Sequence, residues 1–196
     1  MRRSIVALSA AAGLLAGCTS SSGPGGDPTD TPTSMSTRVT STSAEPTYPN
    51  AEPGEKPPVR PVDVLTDAGA KAFAVYFVKT IDWAYASMDT GLMTSASDAT
   101  CTGCAALARA IDNRRALGDY YVGSRVTVLD TDVASVANPS NRLVNVVLSY
   151  TALSIKHPDG SEEFSADAAK MIQLNLRTAF VGQAWTVIEL NQVVSR

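Results

Sequence analysis

The hydrophobic period of this chain changes once, near Gly123, and that change constrains the fold more than any other feature. Before it, apolar residues recur three and four apart: Phe73, Phe77, Ile81, Ala84 and Met88, flanked by Tyr76 and Tyr85. This spacing lines one side of a helix and predicts a helix reaching about Ser87. Thr66 or Asp67 stands where a side-chain oxygen caps the first turn. Asp89-Thr90-Gly91 ends the helix, and Leu92 to Ala96 fits one short further turn. A third segment, from about Gly103 to Leu117, puts Cys104, Leu107, Ala108 and Ile111 on one face, with Gly118 as its C-terminal stop.

After Gly123 the period is two. Val126 and Val128 alternate with polar partners, and Leu143 to Ile155 reads as one long strand rich in Val, Leu and Tyr. His157-Pro158-Asp159-Gly160 is a hairpin signal, because Asp-Gly supplies the positive φ of a tight turn. Phe164 falls on the return strand, and Met171, Leu174, Leu176 and Phe180 fall on another. Gly182-Gln183 make a turn, and Trp185 to Leu190 form the last strand. Helices first and an antiparallel meander afterwards predict an α+β fold, with the helices packed on one face of a curved, cone-like sheet.

The N-terminal part of the 196-residue chain stands outside this pattern. Arg2 and Arg3, an apolar run from Ile5 to Ala16 and small residues after it are the parts of a secretory signal peptide. The run is shorter than the roughly 20 residues that a membrane span needs. The tetrad Leu15-Ala16-Gly17-Cys18 resembles a bacterial lipobox; an ordinary signal peptide with an incidental Cys18 is the alternative. The resemblance implies cleavage before Cys18 and lipidation of that cysteine, palmitate included. Several acyl chains anchor stably where one is marginal. Residues 1–17 are then the signal peptide, 18–63 a lipidated linker and 64–192 the folded domain. The expected location is the extracytoplasmic face of the cell membrane, in the cell envelope. The linker is Ser, Thr, Pro and Gly with scattered charge, a composition that stays disordered. Its reach of about 40 Å suits a spacer through a cell-wall layer, and its Ser/Thr/Pro content permits O-glycosylation.

The net charge of −3, −5 once Arg2 and Arg3 are removed, leaves no basic patch to follow a phosphate backbone and argues against nucleic acid as a partner. The acidic excess also leaves the lipid, not charge, to hold the membrane. Of three cysteines, Cys18 is taken by lipidation and Cys101 and Cys104 remain. In an oxidising compartment this pair reads as a local disulfide bracing the loop onto the third helix, worth about 2 kcal/mol for so short a loop. A dithiol exchange site is the alternative, although such motifs follow a strand and here the preceding segment is helical. A metal site lacks ligands, since the one histidine is His157. His157 has the intrinsic chemistry of a general base, but it sits in the turn signal and reads first as an exposed turn residue. Arg109, Asp112, Arg114 and Arg115 read as the exposed face of the third helix, with Asp112 able to pair locally. The sequence carries no cofactor motif and no Gly-rich phosphate loop.

The lipobox and Pro-rich linker, the stretch Ala72-Phe73 through Trp83-Ala84-Tyr85-Ala86, Asp89-Thr90-Gly91, Cys101-Thr102-Gly103-Cys104 and Trp185-Thr186-Val187 together carry a resemblance. Over about residues 60–192 the chain resembles an uncharacterised family of actinobacterial lipoproteins, a domain of unknown function. It departs from that family at Asp82-Trp83, where Asn-Tyr is usual. The order of elements is similar to the nuclear-transport-factor-like, cystatin-like cone. The resemblance implies that fold and an envelope location, and it implies no catalytic residues.

In such a cone Tyr76, Asp82, Trp83, Tyr85 and Tyr121, with Tyr120, are the candidates to line a pocket between the first helix and the sheet. The leading expectation is a non-catalytic module that binds a small apolar ligand or an envelope protein. One alternative is a small cyclase- or isomerase-type enzyme with Asp82 as base, its pKa raised by burial. Another is a structural assembly factor of the envelope. The simplest alternative for the residues is that the aromatics are core and Asp82 is solvated. Cones also pair through their sheets, so a homodimer is among the partners considered.

Overall fold

A computed structural model of the chain describes residues 51, 55–134 and 138–193. The lipobox, Cys18 and the linker as far as residue 50 lie outside the described residues. Among the described residues the order is three helices, α1 (Asp67–Ser87), α2 (Gly91–Ser95) and α3 (Thr102–Ala116), then seven strands. These are β1 (Tyr120–Gly123), β2 (Val126–Ala134), β3 (Asn141–Tyr150), β4 (Leu153–Lys156), β5 (Glu162–Ala166), β6 (Ala169–Val181) and β7 (Ala184–Val193). The fold is α+β, as the period change predicts. Among the described residues no helix is long and apolar enough to cross a membrane.

Thr66 is the N-cap of α1: its hydroxyl accepts the Gly69 N–H at 3.0 Å. Met88 ends the helix in the left-handed region at φ 60, donating its N–H to the Ala84 carbonyl at 3.0 Å. The whole stripe from Phe73 to Met88 is buried. Phe73, Phe77 and Met93 pack with Val144, Val146, Leu176, Trp185 and Val187 of the sheet in one core. A second, smaller cluster joins Ala84 and Met88 to Ile111, Tyr121 and Ile155.

The strands form two antiparallel sheets, ordered β2-β3-β6-β7 and β1-β4-β5. The segment expected as one strand from Leu143 to Ile155 is two, broken at Thr151-Ala152, and β1 was not expected at all. Both features have one cause. The chain turns a corner at Gly123-Ser124, where both residues have positive φ (84 and 58). The Ser124 N–H donates to the Ala152 carbonyl at 3.0 Å, and the Thr151 N–H donates to the Arg125 carbonyl at 3.1 Å. Each corner thus holds the other, and each passes its chain from one sheet to the other. A side chain at Gly123 would put its Cβ 1.9 Å from the Ala152 oxygen, so this corner admits only glycine. Stacking the two corners bends the sheet into a cone.

The boundary of the folded part also differs from expectation. Residues 55–63, assigned to the linker by composition, are held against the domain. Arg60 pairs with Asp63 at 2.9 Å and lies 4.9 Å above the Phe73 ring. Asp63 accepts the Trp185 N–H at 2.9 Å, and the Trp185 indole N–H donates to the Val64 carbonyl at 2.9 Å. Burial works against the Asp63 carboxylate, but Arg60 and the Trp185 N–H outweigh it and hold its pKa below the usual range. Glu55 reaches further still and pairs with Arg125. Composition counts prolines; it cannot weigh a single Arg-Asp clamp.

Candidate functional site

Where the sheet bends away from the helices, a cavity of about 360 Å³ remains between them. That size falls in the range of small-molecule sites. From α1, Val78, Ile81 and Tyr85 line it; they lie three and four apart and therefore share a face. From α3 come Gly103 and Leu107. The sheet closes the rest with Val126, Leu148, Leu153, Leu174 and Leu190 among others. Its polar side chains are Tyr85, Ser124, Tyr150 and Gln192, and no Asp, Glu, Lys, Arg or His is among the described lining residues.

Gly103 sets the closeness of one wall. A Cβ there would stand 2.4 Å from the Leu190 carbonyl, so only glycine lets α3 lie this near β7. Cys101 and Cys104 flank it and form the expected disulfide, with a Cα–Cα distance of 5.3 Å. Both are buried, at 1% and 2% exposure, and the Cys101 sulfur accepts the Cys104 N–H at 3.3 Å. Exchange chemistry needs an accessible thiolate, so this pair serves as a brace. The loop before it is tied to β7 as well: the Asp98 N–H donates to the Val187 carbonyl at 2.8 Å, and the Val187 N–H to the Ala96 carbonyl at 3.0 Å.

Of the residues that the sequence nominated for a pocket, Tyr85 alone lines this cavity. Its ring meets that of Tyr121 edge-on at 4.8 Å, but Tyr121 itself packs in the smaller cluster. Tyr76 and Trp83 are buried at 6% and 3% exposure. At about 100° per residue they leave α1 from the side opposite Val78, Ile81 and Tyr85. Asp82 borders a separate groove with Val75, Lys79 and Thr127. One of its carboxylate oxygens accepts the Val126 N–H at 2.9 Å, and the other pairs with Arg125 at 3.0 Å. Burial raises its pKa, while the Val126 N–H and Arg125 pull the other way. Asp82 is therefore neither a solvated helix residue nor a base facing the cavity. It ties α1 to the start of β2.

His157 is likewise more engaged than an exposed turn residue. Its Nδ1 lies 2.9 Å from Asp119, which is buried at 5% exposure and also receives Arg114 at 3.1 Å. The His157 hydrogen bond lowers the Asp119 pKa most; burial opposes it and Arg114 adds to it. Arg114 also meets Glu163 at 3.4 Å, so this group staples the β4–β5 hairpin to the end of α3. Arg115 pairs with Asp112 at 2.9 Å as expected and donates to the Met88 carbonyl at 3.1 Å. Arg109 is exposed.

The fold and cavity in hand can be set beside known proteins. Residues 57–191 match the Family of unknown function (DUF6318). The chain belongs to that family. No curated protein matches it. Among solved structures, the intermembrane space region of chloroplast protein ARC6 is similar at 15% identity and a TM-score of 0.52. That match covers 66% of this chain and 98% of the other, and at such identity it shows the fold alone. The β subunit of benzoate 1,2-dioxygenase from Burkholderia mallei is similar at 10% identity, covering 70% of this chain and 93% of its own, with a TM-score of 0.46. An NTF2-like protein of unknown function from Shewanella baltica is similar at 11% identity, covering 66% and 98%, with a TM-score of 0.39.

The other lining residues were not among the pocket candidates that the sequence offered. Tyr150 had a signal: Val144, Val146, Leu148 and Tyr150 alternate, so all four face one side of a strand. Ser124 had half of one, as a small polar residue beside a glycine between two Val-containing runs. Gln192 had none.

Proposed function

We propose that this protein is a lipid-anchored binding module on the extracytoplasmic face of a cell membrane, holding a small apolar molecule without transforming it. The observation that carries the reading is the apolar cavity of about 360 Å³ beneath α1 and α3. Binding is favoured over proton transfer because Tyr85 and Tyr150 are the only titratable residues among the described lining, and burial holds the Tyr85 phenol protonated. The lipobox-like tetrad and the long polar linker support the anchoring, with Cys18 as the acylated residue.

The binding is tested by titrating the ¹⁵N-labelled full chain with naphthalene, an apolar probe without hydrogen-bonding groups. Saturable amide shifts at Val78, Ile81, Leu148 and Leu174 are expected, and Leu174→Trp should suppress them by filling the space. Unchanged spectra in the native chain would refute the reading. Anchoring is tested by labelling cells with an alkyne-tagged palmitate: the native chain takes up label and Cys18→Ala does not. Equal labelling of both would remove Cys18 from the account.

A further inference from the structure

The few polar atoms of the cavity define the chemistry of what it holds. Neither the Tyr85 nor the Ser124 hydroxyl enters a hydrogen bond among the described residues, yet no fully buried side-chain oxygen or nitrogen there lacks a partner. Both hydroxyls therefore keep accessible surface, and the space their residues line is the cavity. Each is fixed in place. Ser124 is buried at 7% exposure and sits at φ 58, a conformation that L residues avoid, with its N–H bonded to Ala152. Strained positions of this kind gather at ligand sites. Tyr85 is set by its edge contact with Tyr121. Burial first, then Tyr121 and Tyr150, push its pKa up to about 12, so at neutral pH it is a proton donor.

Charge is missing from these walls, so an ionised ligand would lose its hydration with no counter-charge in return. At about 30 Å³ for each water-sized unit, the volume accommodates on the order of a dozen non-hydrogen atoms.

Resting on the reading of this cavity as a binding site, we infer that its ligand is an uncharged molecule with an apolar body and one hydroxyl or carbonyl group, which Tyr85 and Ser124 recognise. A carboxylate of the same length is rejected. The apolar walls supply affinity and the two hydroxyls supply orientation. Discrimination comes from the cost of leaving a charge unpaired.

The experiment follows amide shifts of the full chain during titration with naphthalene, decan-1-ol and sodium decanoate at pH 8. Decanol should bind at least about tenfold more tightly than decanoate, because burying an unpaired charge costs far more than burying a hydroxyl. Tyr85→Phe should weaken decanol about fivefold, the effect of one neutral hydrogen bond, and weaken it more than naphthalene, which has no group for that hydroxyl to bond. Ser124→Ala should do the same to a similar or smaller degree. If naphthalene binds but decanoate matches decanol, or both variants hold decanol as tightly as the native chain, the inference is overturned and the binding reading stands. If naphthalene fails to bind the native chain, the binding reading itself falls and takes the inference with it.

Discussion

The two halves of α1 carry the same apolar stripe and meet opposite surroundings. In the first half, Phe73 and Phe77 are fully buried in one cluster with Trp185, Val144 and Met93. In the second half, Ile81 and Tyr85 face the cavity. The helix does not change between them; the sheet does. The four-stranded sheet packs against the first half; at Gly123-Ser124 and Thr151-Ala152 the chain passes into the three-stranded sheet, whose Tyr121 and Ile155 pack with Ala84 and Met88 of the second. A pocket in this fold is thus made by the curvature of the partner layer, and a helical pattern alone does not foretell it.

That contrast can be broken by mutation, and Trp185→Ala is the strongest attempt. Trp185 is 1% exposed and anchors both the core and residues 55–63, the strap held against the domain, so its loss should cost about 4 kcal/mol in denaturant unfolding. A cost under about 2 kcal/mol would mean that the solid half is not solid. Next come paired enlargements. Phe77→Trp overpacks and should cost about 2 kcal/mol, whereas Leu174→Phe fills existing space and should be neutral or gain up to about 1 kcal/mol. Equal penalties for the two would abolish the distinction. Arg60→Ala removes the strap's clamp, including the stacking on Phe73, and should lower stability by about 1–2 kcal/mol. Limited proteolysis should then cut within residues 55–63 first; an unchanged digestion pattern would place the strap's hold elsewhere.

Ser124→Gly acts at the chain corner beside the cavity. Relief of its positive φ should raise stability by about 0.5–1 kcal/mol while weakening decanol binding. A variant that loses stability would show that the Ser124 backbone is unstrained. The smallest effects are in pH dependence, and the two halves should differ in sign. Asp63, in the solid half, has a lowered pKa; it stabilises above the unfolded carboxylate pKa of about 3.9, and that contribution fades as pH falls through the folded value. Asp82, near the bend, has a raised pKa, so its protonation favours the folded state and stability is gained as pH falls through the raised value. Unfolding midpoints between pH 3 and 6 should therefore fall less steeply in Asp63→Asn and more steeply in Asp82→Asn than in the native chain. Slopes shifted in the same direction would refute the assignment.

Much of the fold was legible because it rests on local rules. Thr66 and Gly118 mark helix ends, one through capping and the other through the positive φ that glycine permits. His157 to Gly160 and Gly182-Gln183 mark turns by their residue types, and the Val126, Val128 alternation marks a strand. The break at Thr151-Ala152 was not legible, because that dipeptide is no turn signal by itself. It bends only because the Gly123-Ser124 corner, far away in the sequence, stacks on it. The candidate site was legible at Tyr85 alone. Tyr76 and Trp83 are aromatic and nearby in sequence, but helical rotation carries them to the other side.

By itself, then, the sequence determined the α+β order of elements, the ends of α1 and α3, the Cys101–Cys104 brace and the last hairpin, since each depends on neighbours within a few residues. The tertiary structure alone decided that residues 55–63 belong to the domain, that Asp82 is a tie rather than a base, and that a cavity lies beneath Ile81 and Tyr85. Those outcomes depend on groups that meet only when distant segments pack: Arg60 on Trp185, Arg125 on Asp82 and one chain corner on the other. Contacts of that kind leave no period in the sequence.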